Sequence, residues 1–134
     1  MYDVVVVGAR CAGASLAMLL ARRGHRVALV DRAAFPSDTI SSHFLWPQGA
    51  ALLESWGLLD RLQSRGCELI PTLTFDFGSV SLTGSLPSVQ GVHAACCPRR
   101  TVLDSMLVEA AVEAGAELYD RTSVRALRWS EGRA

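Results

Sequence analysis

The chain has 134 residues, with 13 basic and 13 acidic side chains and no formal net charge. Half of it is hydrophobic and 19% is charged, which suits a buried core and excludes extended disorder. Balanced charge excludes a broad electrostatic grip on nucleic acid. Every basic residue is Arg, so Schiff-base chemistry and a P-loop lysine are excluded too.

The start, Met1-Tyr2-Asp3, lacks the basic region of a signal peptide, and no apolar run is long enough to span a membrane. A cytoplasmic setting is expected, with Cys11, Cys67, Cys96 and Cys97 as reduced thiols. In chain order, Tyr2 to Val7 is a β-branched run without helical periodicity and predicts a buried strand. Gly8 to Gly13 reads as a turn. Ala14 to Arg23 predicts a helix stopped by Gly24, with basic residues in its last turn. Arg26 to Val30 predicts a second strand, ending at Asp31. Strand, helix and strand in about 30 residues make a βαβ unit with parallel strands.

Residues 32–45 carry Pro36 and no clear period, and read as a loop. Pro47 opens a helix that continues to Trp56, and Leu58 to Gln63 adds one or two turns after Gly57. Leu73 to Phe77 and Val80 to Thr83 alternate around Gly78-Ser79, a hairpin pattern. Ser85 to Gly91 reads as a loop. Thr101 is placed as an N-cap with Asp104 in the capping-box position, opening an amphipathic helix from Val102 to Ala114. Glu117 to Tyr119 is a short strand, Val124 to Trp129 a candidate further strand, and Glu131-Gly132 a turn.

The turn Gly8-Ala9-Arg10-Cys11-Ala12-Gly13 carries the most chemistry. Gly8 suits the tight exit from the strand, and Gly13 permits close helix–strand packing. A helix N-terminus offers amides and partial positive charge to a pyrophosphate. Asp31 ends the second strand, where a carboxylate accepts bonds from an adenosine ribose, and Arg32 stands beside it. The middle position of a GxGxxG pattern is Arg10 instead of glycine. Its effect is either loss of close backbone approach or an added guanidinium near the phosphates.

This N-terminal segment resembles the start of FAD-dependent oxidoreductases, in particular aromatic-hydroxylase-type flavoprotein monooxygenases and geranylgeranyl-reductase-like flavoproteins. Arg100-Thr-Val-Leu103-Asp104-Ser-Met-Leu107, followed by Gly115-Ala116-Glu117, is similar to a second family motif. Ser42 to Gly49, continuing to Trp56-Gly57-Leu58-Leu59-Asp60, is a third match. The resemblance implies a Rossmann-like α/β FAD/NAD(P)-binding fold with a parallel sheet. It implies that Gly8, Ala9, Arg10, Cys11, Ala12 and Gly13 hold the pyrophosphate of FAD and Asp31 the adenosine ribose, with Arg32 among the cofactor-binding residues. It adds Arg100 as an arginine approaching the cofactor, and His43 in a loop on the flavin side. Residues 1–134 are expected to be the N-terminal part of an FAD-binding domain. The family's later Asp-Gly and Gly-Asp motifs do not occur, as expected of such a part, and residues 68–92 would be an insertion belonging to the substrate-side sheet of a largely missing substrate domain.

Other candidates carry less. Cys96-Cys97 lacks the CxxC spacing of a redox site and reads as two small residues before Pro98. His43, His93 and the cysteines show no metal-ligand spacing, so no metal is expected. Cys11 at a helix N-terminus reads as a small packed residue, although such a position lowers a thiol pKa. His25 suits a helix end. Trp46, Trp56 and Leu52-Leu53 read as core. Arg99-Arg100 precedes a helix, where a cation makes more sense facing an anion; the alternative is a solvated pair at a loop end, and the family match favours the first for Arg100.

The expected activity is that of a flavin-dependent oxidoreductase. The first reading is an NAD(P)H-dependent monooxygenase acting on a small organic substrate; a geranylgeranyl-reductase-like flavin reductase is the alternative. A truncated non-catalytic nucleotide-binding or interaction module is the reading from a different class, with an exposed sheet edge as its docking point. An NAD-only dehydrogenase would continue in regular βα units, whereas this chain enters a loop and a hairpin.

Overall fold

The computed structural model describes residues 1–129. The described residues fold as two units: Met1–Asp38 with residues 103–129, and Thr39–Val102. Among the described residues no helix is long and apolar enough to cross a membrane.

The first unit contains β1 (Val4–Val7), α1 (Cys11–Ala21) and β2 (Val27–Val30) in succession. Later in the chain come α4 (Arg100–Glu113), which runs into this unit at Leu103, and β7 (Glu117–Tyr119). The three strands form one parallel sheet in the order β1-β2-β7. Helix α1 packs on β1 and β2 through Ala14, Ala17, Met18 and Ala21. Small residues on that face let the helix axis come close. Met18, Leu29 and Met106 retain no exposed surface, and each contributes about 1.5–3 kcal/mol by its burial.

The register decides which strand residues are covered. Val6 pairs with Leu29, and Leu29 with Leu118, so these three share one face. Val5 and Val7 share the other face with Glu117 and Tyr119. Val6 is buried, but Val5 and Val7 are 57% and 63% exposed. The expected buried strand is therefore covered on one face only, because helical cover lies on the Val6 side and β1 is the sheet edge among the described residues. On the side of Val5 and Val7, Tyr2 donates to the Glu117 carboxylate and bonds the Tyr119 hydroxyl, which also bonds Glu117 at 3.0 Å. The bond to Glu117 raises the Tyr2 phenol above its ordinary range and holds Glu117 below its own.

Helix boundaries differ from the sequence pattern. Helix α1 begins at Cys11, so half of the expected turn is already its first turn. It ends at Ala21. Gly24 then takes φ +87°, and its N–H bonds Ala21 O at 2.9 Å. Helix α4 starts at Arg100, which places Thr101 inside the helix; the expected capping box does not form. Val124 to Trp129 form no strand: every one of them is exposed, and none pairs with a strand among the described residues. The expected turn at Glu131-Gly132 lies outside the described residues.

The second unit contains α2 (Pro47–Ser55), α3 (Leu59–Ser64), β3 (Leu69–Ile70), β4 (Thr72–Asp76), β5 (Ser81–Ser85) and β6 (Ala95–Cys96). Pro47 opens α2 as its sequence position suggests. Leu53, Leu58, Leu59, Leu62, Ala95 and Cys96 form its core. The two-residue strands β3 and β6 pair antiparallel, a contact too short to leave a sequence period. Strands β4 and β5 form the expected hairpin, with Phe75 opposite Leu82. Gly78 sits at φ +83° in its turn, and Asp76 Oδ1 accepts the Gly78 N–H at 2.8 Å. Alternation gives this hairpin one apolar face (Leu73, Phe75, Leu82) and one hydroxyl face, where Thr74 and Thr83 share a 2.8 Å hydrogen bond.

At the amino ends of β1 and β2, Arg26 donates to Asp3 from Nη2 at 2.8 Å, Nε at 3.1 Å and its backbone N–H at 2.8 Å. These bonds hold the Asp3 carboxyl well below the usual carboxylate range. A depressed folded pKa means the contribution is complete above the unfolded value and is lost as pH falls through the folded one. The Asp3 carboxyl carbon shift is expected to remain that of the ionised form at about pH 3, where an unpaired Asp is mostly protonated. In Arg26→Ala the same carbon should titrate in the ordinary range.

Candidate functional site

The site is built at the carboxyl ends of β1 and β2, where open parallel sheets place their ligands. Gly8 leaves β1 with φ +99°, a backbone conformation side chains rarely adopt, while its N–H still bonds Val30 O at 2.7 Å. A Cβ built on Gly13 would lie 1.7 Å from Gly8 O, so only glycine lets α1 start this close to the strand. The first helical hydrogen bond runs from Ala14 N–H to Arg10 O at 2.9 Å. Amides before it have no intrahelical acceptor by geometry and face outward with the positive end of the helix dipole. No acidic side chain occupies this first turn.

Asp31 ties the second strand to the turn. Its Oδ2 accepts the Ala9 N–H at 2.7 Å, and its Oδ1 accepts the Ala33 N–H at 2.8 Å. An ionised carboxylate has about four acceptor positions, so each oxygen can still accept a hydroxyl. Beside it lies a cleft of about 410 Å³, walled by Val7, Gly8, Val30, Asp31, Arg32 and Ser123 among others.

Arg10, the residue replacing the middle glycine, is turned onto α4. Its Nη1 pairs with Asp104 Oδ2 at 2.7 Å, and Nη2 donates to Ser37 Oγ at 2.9 Å. Nη1 also reaches Ser37 O at 3.3 Å, and the guanidinium lies 5.8 Å from the Phe35 ring centre. Cys11 Sγ donates to the other Asp104 oxygen at 3.0 Å. Asp104 is fully buried. Its role was missed by the sequence pattern, which placed it in a capping box. The available signal was a carboxylate set among Leu103, Leu107, Val108 and Ala111, all of them buried.

Gly8, Ala9, Arg10, Cys11, Ala12, Gly13, Asp31 and Arg32 thus come together in the first unit. His43 belongs to the second unit. It has φ +56°, donates its N–H to Ser41 Oγ at 3.1 Å, and keeps a buried Nδ1 without a hydrogen-bond partner. Arg100 is the half-buried first residue of α4, and Arg99 before it is exposed. Trp46 is 51% exposed and packs edge-on to Phe44, so it is not a core residue. It lines a groove of about 280 Å³ with the hairpin residues Leu73, Phe75 and Leu82. Leu52 is likewise exposed, while Leu53 is buried.

The adjacent cysteines do not act as a pair. Cys97 is exposed, while Cys96 is buried and hydrogen-bonds Cys67. Burial pushes the Cys96 thiol up to about 12 and raises Cys67 as well.

Residues 1–132 match the family model described as FAD binding domain. Over 65 residues the chain is 43% identical to 6-methylpretetramide 4-monooxygenase of Streptomyces rimosus, covering 48% of this chain and 16% of that protein. Over 122 residues it is 33% identical to menaquinone reductase of Mycolicibacterium smegmatis, covering 91% of this chain and 29% of that protein. The solved structure of PqsL from P. aeruginosa in complex with 2-aminobenzoylacetate superimposes with a TM-score of 0.82 at 28% identity. That superposition covers 99% of this chain and 37% of PqsL. The chain spans well under two thirds of each of these proteins.

Two predictions come from this geometry. Gly13→Ala forces backbone to move and should destabilise the chain by about 1–3 kcal/mol or more. Gly8→Ala meets no atom within 4 Å and adds only the strain of its positive φ. Urea unfolding of the two variants should rank Gly13→Ala as the worse. In the native chain a maleimide should label Cys97 well before Cys67 and Cys96, as read by peptide mass; equal labelling would contradict their burial.

Proposed function

The chain belongs to the FAD binding domain family, and on that premise we propose that it forms the part of a flavin-dependent oxidoreductase that holds the ADP half of FAD. The observation that carries this reading is the close approach of Gly13 to Gly8 O, which starts α1 directly over the end of β1, next to the cleft that Gly8 and Asp31 line. A diphosphate fits there because the amides are oriented, the dipole is favourable and no first-turn carboxylate opposes it. Gly8, Ala9, Arg10, Cys11, Ala12 and Gly13 would surround the diphosphate. Asp31 would accept ribose hydroxyls while keeping its bonds to Ala9 and Ala33, with Arg32 on the rim of the same cleft. The motif match adds Arg100 and His43 to the cofactor-binding set, on the strength of sequence.

When bound, flavin would supply two-electron redox chemistry and, once reduced, reaction with oxygen. The protein's part in this chain is binding and orientation. For the whole enzyme we take monooxygenation of a small organic substrate, with NAD(P)H as reductant in a cytoplasmic setting, as the first reading. A flavin-dependent reductase is the second, favoured by the match to menaquinone reductase over 91% of this chain. Residues 68–92, with their apolar hairpin face, are assigned to the substrate side.

Titration of the purified chain with FAD, followed by flavin and tryptophan fluorescence with NAD and ADP as controls, tests the proposal. Saturable binding of FAD and ADP is expected, and Gly13→Ala should abolish it. Arg100→Ala should weaken FAD by about tenfold, the size of one lost charge-assisted bond, and more than Arg99→Ala. A folded chain that binds neither FAD nor ADP would sink the reading; the reverse order of the two arginines would move the site.

A further inference from the structure

We infer that Asp104 is a positioning residue for the phosphate-binding turn, and that it is what allows an arginine to stand where the turn pattern has glycine. The inference rests on the proposed diphosphate site and extends it to a residue outside that site.

Both Asp104 oxygens are engaged by consecutive residues of the turn. Oδ2 takes Arg10 Nη1 at 2.7 Å and Oδ1 takes the Cys11 thiol at 3.0 Å. A glycine at position 10 would leave the approach to the amides open. A long side chain there obstructs it unless something holds the side chain aside. Here the guanidinium is held by Asp104, by Ser37 Oγ at 2.9 Å and by the face of Phe35. Its planar fork satisfies Asp104 and Ser37 at once, which a lysine ammonium would not reproduce. Asp104 in turn has no exposed surface, and a carboxylate in that position needs a fixed cationic partner. Position 10 and position 104 are therefore a matched pair. Through Arg10 and Cys11, α4 sets both the last residue before α1 and its first residue, so the orientation of the first-turn amides depends on a side chain 94 positions away.

The test is a cycle of four proteins: wild type, Asp104→Asn, Arg10→Gly and the double variant. The first readout needs no ligand: amide hydrogen exchange of residues 8–14 in the folded chain. Asp104→Asn should accelerate exchange there by about tenfold, as expected for losing one charge-assisted bond. Arg10→Gly alone removes the guanidinium bonded to Asp104 Oδ2 and should also accelerate it. The double variant should exchange more slowly than either single variant. The dissociation constant for FAD should follow the same order. A pair that serves stability alone would lower the thermal midpoint and leave turn exchange unchanged below it. That result, or a double variant no better than Asp104→Asn, would overturn the inference. Should Asp104→Asn fail to fold, Ser37→Ala loosens the same guanidinium with the ion pair intact. It must then accelerate exchange in the Arg10 background and have no effect in Arg10→Gly; an equal effect in both overturns the inference. Absence of FAD binding by the wild type would defeat the proposed function alone, because the exchange cycle is read without FAD.

Discussion

The approach of α1 to β1 at Gly13 is the constraint from which the rest of the first unit follows. A missing Cβ lets the helix begin directly over Gly8 O, where any other residue would overlap backbone. Once α1 starts there, Ala14, Ala17 and Met18 meet the sheet and bury Val6 and Leu29. The same placement brings the first turn of α1 to the end of β1, so the packing contact and the proposed diphosphate site rest on one feature.

Two carboxylates then hold the turn from opposite sides. Asp31 takes the Ala9 amide and ties the turn to β2. Asp104 takes Arg10 and Cys11 and ties it to α4. Asp31 lies beside the cleft with acceptor capacity to spare, which suits a ligand contact. Asp104 is buried and engaged at both oxygens, which suits a support. Residue type alone does not separate these roles. Burial and partners do.

The second unit presents a different problem. Its hairpin has apolar Leu73, Phe75 and Leu82 on one face and hydroxyls on the other, and a two-stranded sheet has little core of its own. Phe75 and Leu82 remain more than half exposed, as do Val5 and Val7 on the edge strand β1 of the first unit. Single exposed apolar residues are ordinary, but runs of them on strand faces mark surfaces that other structure can cover.

The strand–turn–helix–strand order, the role of glycine at 8 and 13, the acid ending β2 and the hairpin around Gly78-Ser79 were legible because each depends on local rules. β-branched runs, glycine spacing and turn chemistry act over a few residues. The FAD-type family was legible for the same reason, since its motifs are local. The start of α1 at Cys11, the one-sided cover of β1, the pairing of β3 with β6 and the exposure of Trp46 were not, because neighbours distant in sequence decide each of them. Asp104 shows the difference most clearly. Read locally, an acid three residues after Thr101 is a capping box. In the fold α4 begins one residue earlier than Thr101, and the carboxylate is buried against Arg10 from the other end of the chain. Sequence alone determined which residue types could bind a diphosphate; only the tertiary structure decided which carboxylate faces the cleft and which one holds the turn, because desolvation and partner geometry exist only after distant segments meet.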